Sequence, residues 1–165
     1  MSTFNAFVQL AGATGRPVVF FDFETAGLDL PPVELGLVVF STGEVMDCDA
    51  LKEARGLLEQ PLVRCGPRSA IGDYAIFAVN SRLNPRCKIR PGAKAVHGIS
   101  DADVAGAPPY DDPPLVELLA RIDEADPIWC GHNVVSFDLP TAERYGLLPR
   151  RQGRRYLDTL RWVNG

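Results

Sequence analysis

The stretch Val18-Val19-Phe20-Phe21-Asp22-Phe23-Glu24-Thr25-Ala26-Gly27-Leu28 is an apolar run that ends in two carboxylates one residue apart. Side chains alternate faces along a strand with a period of two, so a strand here projects Asp22 and Glu24 from one face. Adjacent carboxylates at the end of a buried strand repel each other and call for a cation. Hard oxygen donors without a neighbouring His or Cys favour Mg2+ or Mn2+ over zinc. The plainer reading is a strand end with two solvated acids.

A third acid comes from Gly131-His132-Asn133-Val134-Val135-Ser136-Phe137-Asp138. Before it, Pro127-Ile128-Trp129-Cys130 reads as a short buried strand, and Ser136 as an N-cap that puts Asp138 in the first turn of a helix. The amphipathic pattern Phe137, Leu139, Ala142, Tyr145 predicts that this helix packs on a sheet. A carboxylate in that turn can face the pair at the strand end; taken alone, such a residue is more often an acid favoured by the helix dipole than a metal ligand.

In order and spacing these segments resemble the DEDD superfamily of 3′ to 5′ exonucleases, also called DnaQ-like. FDFETAGL is similar to the first motif of that superfamily and GHNVVSFDLP to the second. Between them, Val33-Glu34-Leu35-Gly36-Leu37-Val38 is similar to the family's second strand. Asn84-Pro85 and the segment from Val96-His97-Gly98-Ile99 to Val104 are similar to its HGI loop, and Leu157-Asp158-Thr159-Leu160 to its later DTL segment. The five matches span roughly 17 to 161.

The resemblance implies an α/β chain with the ribonuclease-H-like mixed five-strand sheet and flanking helices. It also implies a site of two Mg2+ or Mn2+ ions in which Asp22 is the shared ligand, Glu24 binds the first metal and Asp138 helps to hold the second. Thr25, Leu28, His97 and Asn133 are the substrate-binding residues it implies, with Leu28 against the terminal base. The partner is then a 3′ end of single-stranded DNA or RNA, with a protein partner as the alternative. Two departures stand out. Ala26 occupies a position that is Thr or Ser in relatives, and nothing before Gly165 matches the third motif, which supplies a fourth Asp, a preceding His or Tyr and the closing helices of the sheet. His97 and His132 are the two histidines in the chain, and either is more plausible as an orienting group than as a substitute base.

Composition agrees with this reading. At 165 residues, 46% hydrophobic and 23% charged, the chain fits a single domain with a real core. Residues 1–16 read as an N-terminal extension and 47–75 as an insertion, with a short helix expected over 49–58 and irregular structure around Gly66, Pro67 and Gly72. No apolar run is long enough to cross a bilayer and no signal peptide is evident, so an intracellular, cytoplasmic protein without a membrane partner is expected. Cys48, Cys65, Cys87 and Cys130 are dispersed, which argues against a zinc site and fits reduced thiols.

The net charge of −4 hides two basic groups. One is Arg144, Arg150, Arg151, Arg154, Arg155 and Arg161; the other, around the HGI segment, is Arg82, Arg86, Lys88, Arg90 and Lys94. They suit a phosphate backbone, or form a solvated Arg-rich loop. Strands are expected near 17–23, 33–40, 75–83, 127–131 and 154–157, and helices near 113–125 and 136–146. For the first helix Asp112 is the candidate cap, Pro113 and Pro114 open the first turn, and Leu115, Leu118, Leu119 and Ile122 form the apolar stripe.

Three functions remain open at this point. The chain is a 3′ to 5′ exonuclease domain, with little activity if the third motif is truly missing; or it binds nucleic-acid ends or a protein without cutting; or it is a structural domain with vestigial acids.

Overall fold

The computed structural model describes residues 3–42, 62–69 and 72–163. In chain order the elements are α1 (Thr3–Thr14), β1 (Val18–Thr25), β2 (Pro32–Thr42), β3 (Leu62–Ser69), β4 (Gly72–Arg82), α2 (Pro91–His97), α3 (Asp101–Val104), α4 (Pro113–Glu124), β5 (Ile128–Gly131), α5 (Asp138–Arg144), β6 (Arg155–Asp158) and α6 (Thr159–Val163). The strands form one mixed sheet in the order β3-β4-β2-β1-β5-β6. On one side of β1 the pairings are antiparallel; on the other, β5 and β6 run parallel to it.

All five expected strands are present in this α/β sheet, and β3 adds a sixth at its edge. The irregular structure expected around Gly66, Pro67 and Gly72 is instead strand, with Gly72 the first residue of β4. The backbone at 62–69 pairs with β4, and a register shift between Gly66 and Ser69 accommodates Gly66 and Pro67. An edge strand tolerates Pro because one side of it has no ladder to break. The helix expected over 49–58 lies outside the described residues.

The period-two pattern of β1 divides the core. Val19, Phe21 and Phe23 enter the larger cluster with Leu35, Leu37, Val39 and Phe77, where Leu115, Leu118, Leu119 and Ile122 of α4 cover them. Phe21 meets Phe23 and Trp129 edge to face at 4.8 and 5.1 Å between ring centroids, geometry worth about 0.5–1.5 kcal/mol per pair beyond the area buried. On the opposite face Phe20 and Phe40 pack against Phe7 of α1, beside Ala11, Val18 and Ile128. The N-terminal extension is thus a helix that covers part of that second face.

Helix starts differ in detail from expectation. Phe137, not Ser136, occupies the cap position of α5, without a side-chain cap bond, and Asp138 is its first residue. Asp112 does precede α4, with proline in the first turn, yet its carboxylate makes no capping bond.

Most of the basic residues have acidic partners. Arg154 forks onto the buried Asp123 at 2.8 and 3.0 Å and also bonds Glu143; Arg151 pairs with Asp126 at 3.1 Å, and Arg16 bonds the same carboxylate. The RRQGRR stretch is largely exposed, yet two of its arginines are committed to partners within the protein. Its Arg151 and Arg154 fasten it to the C-terminal end of α4. Around the HGI segment Arg82 pairs with Glu34, Arg86 with Asp111 and Lys88 with Asp101. Cys87 and Cys130 are free thiols. Among the described residues, no helix is long and apolar enough to cross a membrane.

Candidate active site

Asp22 and Glu24 lie towards the C-terminal end of β1, and Asp138 is bonded to the same stretch of strand. Pairing between β1 and β5 ends at Phe20↔Cys130, so the β1 backbone beyond it needs other partners. Asp138 supplies one: its Oδ1 accepts the Phe23 N–H at 2.9 Å. That places the carboxylate against the one residue of β1 that separates Asp22 from Glu24.

Asp138 is 1% exposed, and its Oδ2 has no hydrogen-bond partner. Burial, opposed by the Phe23 N–H and reinforced by the charges of Asp22 and Glu24, pushes its carboxyl up to about 7. Glu24 is also raised, by burial first and by Asp22 and Glu34 among its neighbours, against the lowering influence of His97 and Arg82. Asp22 is exposed. Glu34 stands directly across from Glu24 on β2 and was missed as a site neighbour, because only the strand register brings the two together.

These acids are neighbours without being an assembled ligand group: among the described residues no three His, Cys, Asp or Glu side chains are grouped to hold an ion. The donor chemistry does fit a hard divalent cation. Three carboxylates, one of them buried with an oxygen left without a partner, are what such an ion would satisfy.

Two cavities share Glu24. On the sheet face that carries Asp22, a cavity of about 600 Å³ is lined by Asp22, Glu24, Glu34, Gly36, Val38 and Asn80. The other, about 690 Å³, lies between the end of β1 and α2, where Leu28, Ala93, Val96 and Phe137 give apolar walls and Glu24 and Arg90 line it as well. Leu28 and Val96 are 80% and 84% exposed, although large apolar side chains at a surface normally find cover. Val96 precedes the HGI tripeptide and was not expected to line the site.

The other anticipated residues hold the frame. Thr25 is buried, and its carbonyl oxygen lies 3.1 Å from His97 Nε2. The Ile99 N–H donates to His97 Nδ1 at 3.0 Å, which leaves Nε2 as the ring nitrogen that donates to Thr25. Both ring nitrogens are occupied, and His97 is a clip between α2 and β1 rather than a free base. His132 Nδ1 lies 3.1 Å from Thr159 Oγ1. Asn133 sits in the left-handed region at φ 62° and turns the chain from β5 towards α5, which is a backbone role.

No family model matches the chain, and no curated protein matches it in sequence. Its fold is that of solved exonuclease structures. An Escherichia coli exonuclease I in complex with a dA16 oligonucleotide is 16% identical, with a TM-score of 0.54, over 90% of this chain and 28% of that one. An exonuclease I from Methylocaldum szegediense is 18% identical with a TM-score of 0.52, over 90% and 28% of the two chains. A product-bound exonuclease I is 15% identical with the same score, over 90% and 31%. The chain spans less than a third of the length of these enzymes. The likeness is one of fold: an open α/β sheet of the ribonuclease-H-like kind.

Proposed function

We propose that this chain is a metal-dependent 3′ to 5′ exonuclease domain, acting on phosphodiester bonds at the ends of single-stranded DNA or RNA. The observation that carries the reading is the buried, half-satisfied carboxylate of Asp138, set against β1 between Asp22 and Glu24 and raised by burial first and by their charge second. A scaffold acid would be hydrogen-bonded to saturation, whereas a carboxyl raised to about 7 by burial and by its acidic neighbours is poised for a ligand. The shared fold of the exonuclease I structures supports the same reading.

Asp22, Glu24 and Asp138 would hold Mg2+ or Mn2+. When bound, such ions would polarise a phosphodiester and lower the pKa of a bound water towards neutrality. The residues of the chain do the rest. Leu28, Val96 and Phe137 offer an apolar seat for an unstacked base, Arg90 adds a cation beside it, and Glu24 joins that seat to the acids. His97 holds Thr25 and the segment after it in place. His97, with both ring nitrogens engaged, is not placed as a free general base, and His132 turns Nδ1 to Thr159; general acid–base help is worth about 10²–10⁴-fold. Turnover by these 165 residues is therefore expected to be slow.

Mn2+ at millimolar concentration should raise the melting temperature of the wild type and not of Asp22→Ala, since a ligand that binds only the folded state stabilises it. The same protein, incubated with a 5′-labelled single strand, should give slow stepwise shortening that vanishes in Asp22→Ala. Equal melting of both proteins with and without Mn2+, together with an intact strand, would overturn the reading.

A further inference from the structure

We propose that Asp158 is the positioning residue for Asp138: it fixes the turn from β5 into α5 and, through that turn, the hold of Asp138 on β1. Asp158 ends β6 as the register partner of Gly131. Its carboxylate is 3% exposed and accepts three backbone N–H groups. Oδ1 takes those of Asn133 and Leu160 at 2.9 and 3.0 Å, and Oδ2 takes that of Val135 at 3.2 Å. Two of the three donors belong to the turn itself.

Thr159 fastens the start of the same turn, with Oγ1 donating to the Gly131 carbonyl at 3.3 Å and lying 3.1 Å from His132 Nδ1. From there the bonds continue without a gap. The Asn133 carbonyl accepts the Ser136 and Phe137 N–H groups, and the Val134 carbonyl accepts that of Leu139. Asp138 lies between these anchored residues, and its Oδ1 reaches the Phe23 N–H. A left-handed Asn133 is an uncommon backbone state for a residue other than glycine, and the bond from its N–H to Asp158 offsets that cost. Arg161 Nε, 3.9 Å from Asp158 Oδ2, balances the charge.

The metal part of this inference rests on the proposed site; the positional part does not, and the two are measured separately. Amide hydrogen exchange without metal reads the position of Asp138 at the Phe23 amide, whose partner it is, and Asp138→Ala gives the signal of a lost partner. In Asp158→Asn the Phe23 amide should exchange about tenfold faster or more, while Leu37 in the centre of the sheet keeps its protection. Unchanged Phe23 exchange beside fast Asn133 and Val135 amides would overturn the proposal. Should Asp158→Asn fail to fold, Thr159→Val decides by the same readout: about threefold faster exchange at Phe23 supports the proposal and no change overturns it.

Calorimetric titration with MnCl2 is the second arm, where a misplaced ligand should cost about 10–100-fold in affinity. Wild-type affinity in Asp158→Asn would count against the positioning role. Absence of Mn2+ binding in the wild type itself would instead count against the proposed function, and the exchange data would still decide the position.

Discussion

Asp138 and Asp158 stand at two ends of one stretch of chain, both buried, and their surroundings treat them in opposite ways. Asp158 accepts three backbone N–H groups. Burial alone would raise its carboxyl, but those bonds and Arg161 outweigh burial and hold it below the ordinary carboxylate range. Asp138 accepts one N–H from β1, keeps an oxygen without a partner, and is pushed up to about 7 by burial and by two neighbouring acids. Burial opposes ionisation in both, so the difference lies in the surroundings: three N–H donors and an arginine against one donor from β1 and two acids. The saturated acid belongs to the scaffold, and the unsaturated one marks the place where something else can bind.

The comparison breaks most easily at Asp158. Replacing it with Ala leaves three backbone donors of a buried turn without a partner, and bonds to a charged acceptor are worth about 1.5–3 kcal/mol each with imperfect additivity. Asp158→Ala should therefore lose about 4 kcal/mol in urea denaturation. The contribution of Asp158 has an acid signature as well. Its folded pKa lies below the unfolded one, so the stabilisation is present above the unfolded value and is lost as pH falls through the folded one.

Asp138 should show the reverse. A carboxyl near 7 in the folded protein and near 3.8 when unfolded binds more protons folded between those values. Stability should then fall as pH rises from about 4 to 7 and stay low above it, a loss of at most about 4 kcal/mol. Asp138→Asn keeps an oxygen for the Phe23 N–H and removes the charge. It should be more stable than wild type at pH 8 by about 1–3 kcal/mol, and the slope between pH 4 and 7 should flatten. A variant less stable than wild type at pH 8 would remove Asp138 from the unsaturated side of the comparison.

Gly131 sharpens the same region. A Cβ there would lie 2.8 Å from the Phe21 carbonyl oxygen and 3.0 Å from the Val134 Cβ, contacts that backbone atoms cannot relieve by changing rotamer. Gly131→Ala should cost about 2 kcal/mol in the same denaturation assay. It should also loosen the turn that carries Asp138.

How far the chain itself announced all this varies by element. The run into Asp22 and Glu24 and the stripe of α4 are local patterns, and they appear where periodicity places them, whereas α5 starts two residues later than the expected 136. What escaped depends on distant pairing. Strand β3 was hidden by Gly66 and Pro67, which look like a break until β4 is laid beside them with a shift in register. The pairing of Arg154 with Asp123 joins residues 31 apart in sequence, so composition could suggest only a basic patch. Asp158 was visible as part of a DTL segment, but its three acceptor bonds go to backbone, which has no residue signature. The packing of Phe7 on Phe20 and Phe40 joins α1 to strands that lie more than ten residues further along the chain, and no local pattern in residues 1–16 announces it.

The smallest expected effect falls on the side of the site that does not stabilise the protein. Leu28 and Val96 flank the apolar cavity and are almost fully exposed, so neither gains much from folding, and truncation there should leave stability within about 0.5 kcal/mol. If the cavity seats an unstacked terminal base, Leu28→Ala and Val96→Ala should each weaken binding of a short single strand, measured by fluorescence anisotropy without metal. Loss of apolar contact with one base corresponds to about 1 kcal/mol, roughly a fivefold rise in Kd. Unaltered binding in both variants would leave exposed side chains with no ligand to cover and move the strand end away from this cavity, while the contrast between Asp138 and Asp158 would stand on its own hydrogen bonds.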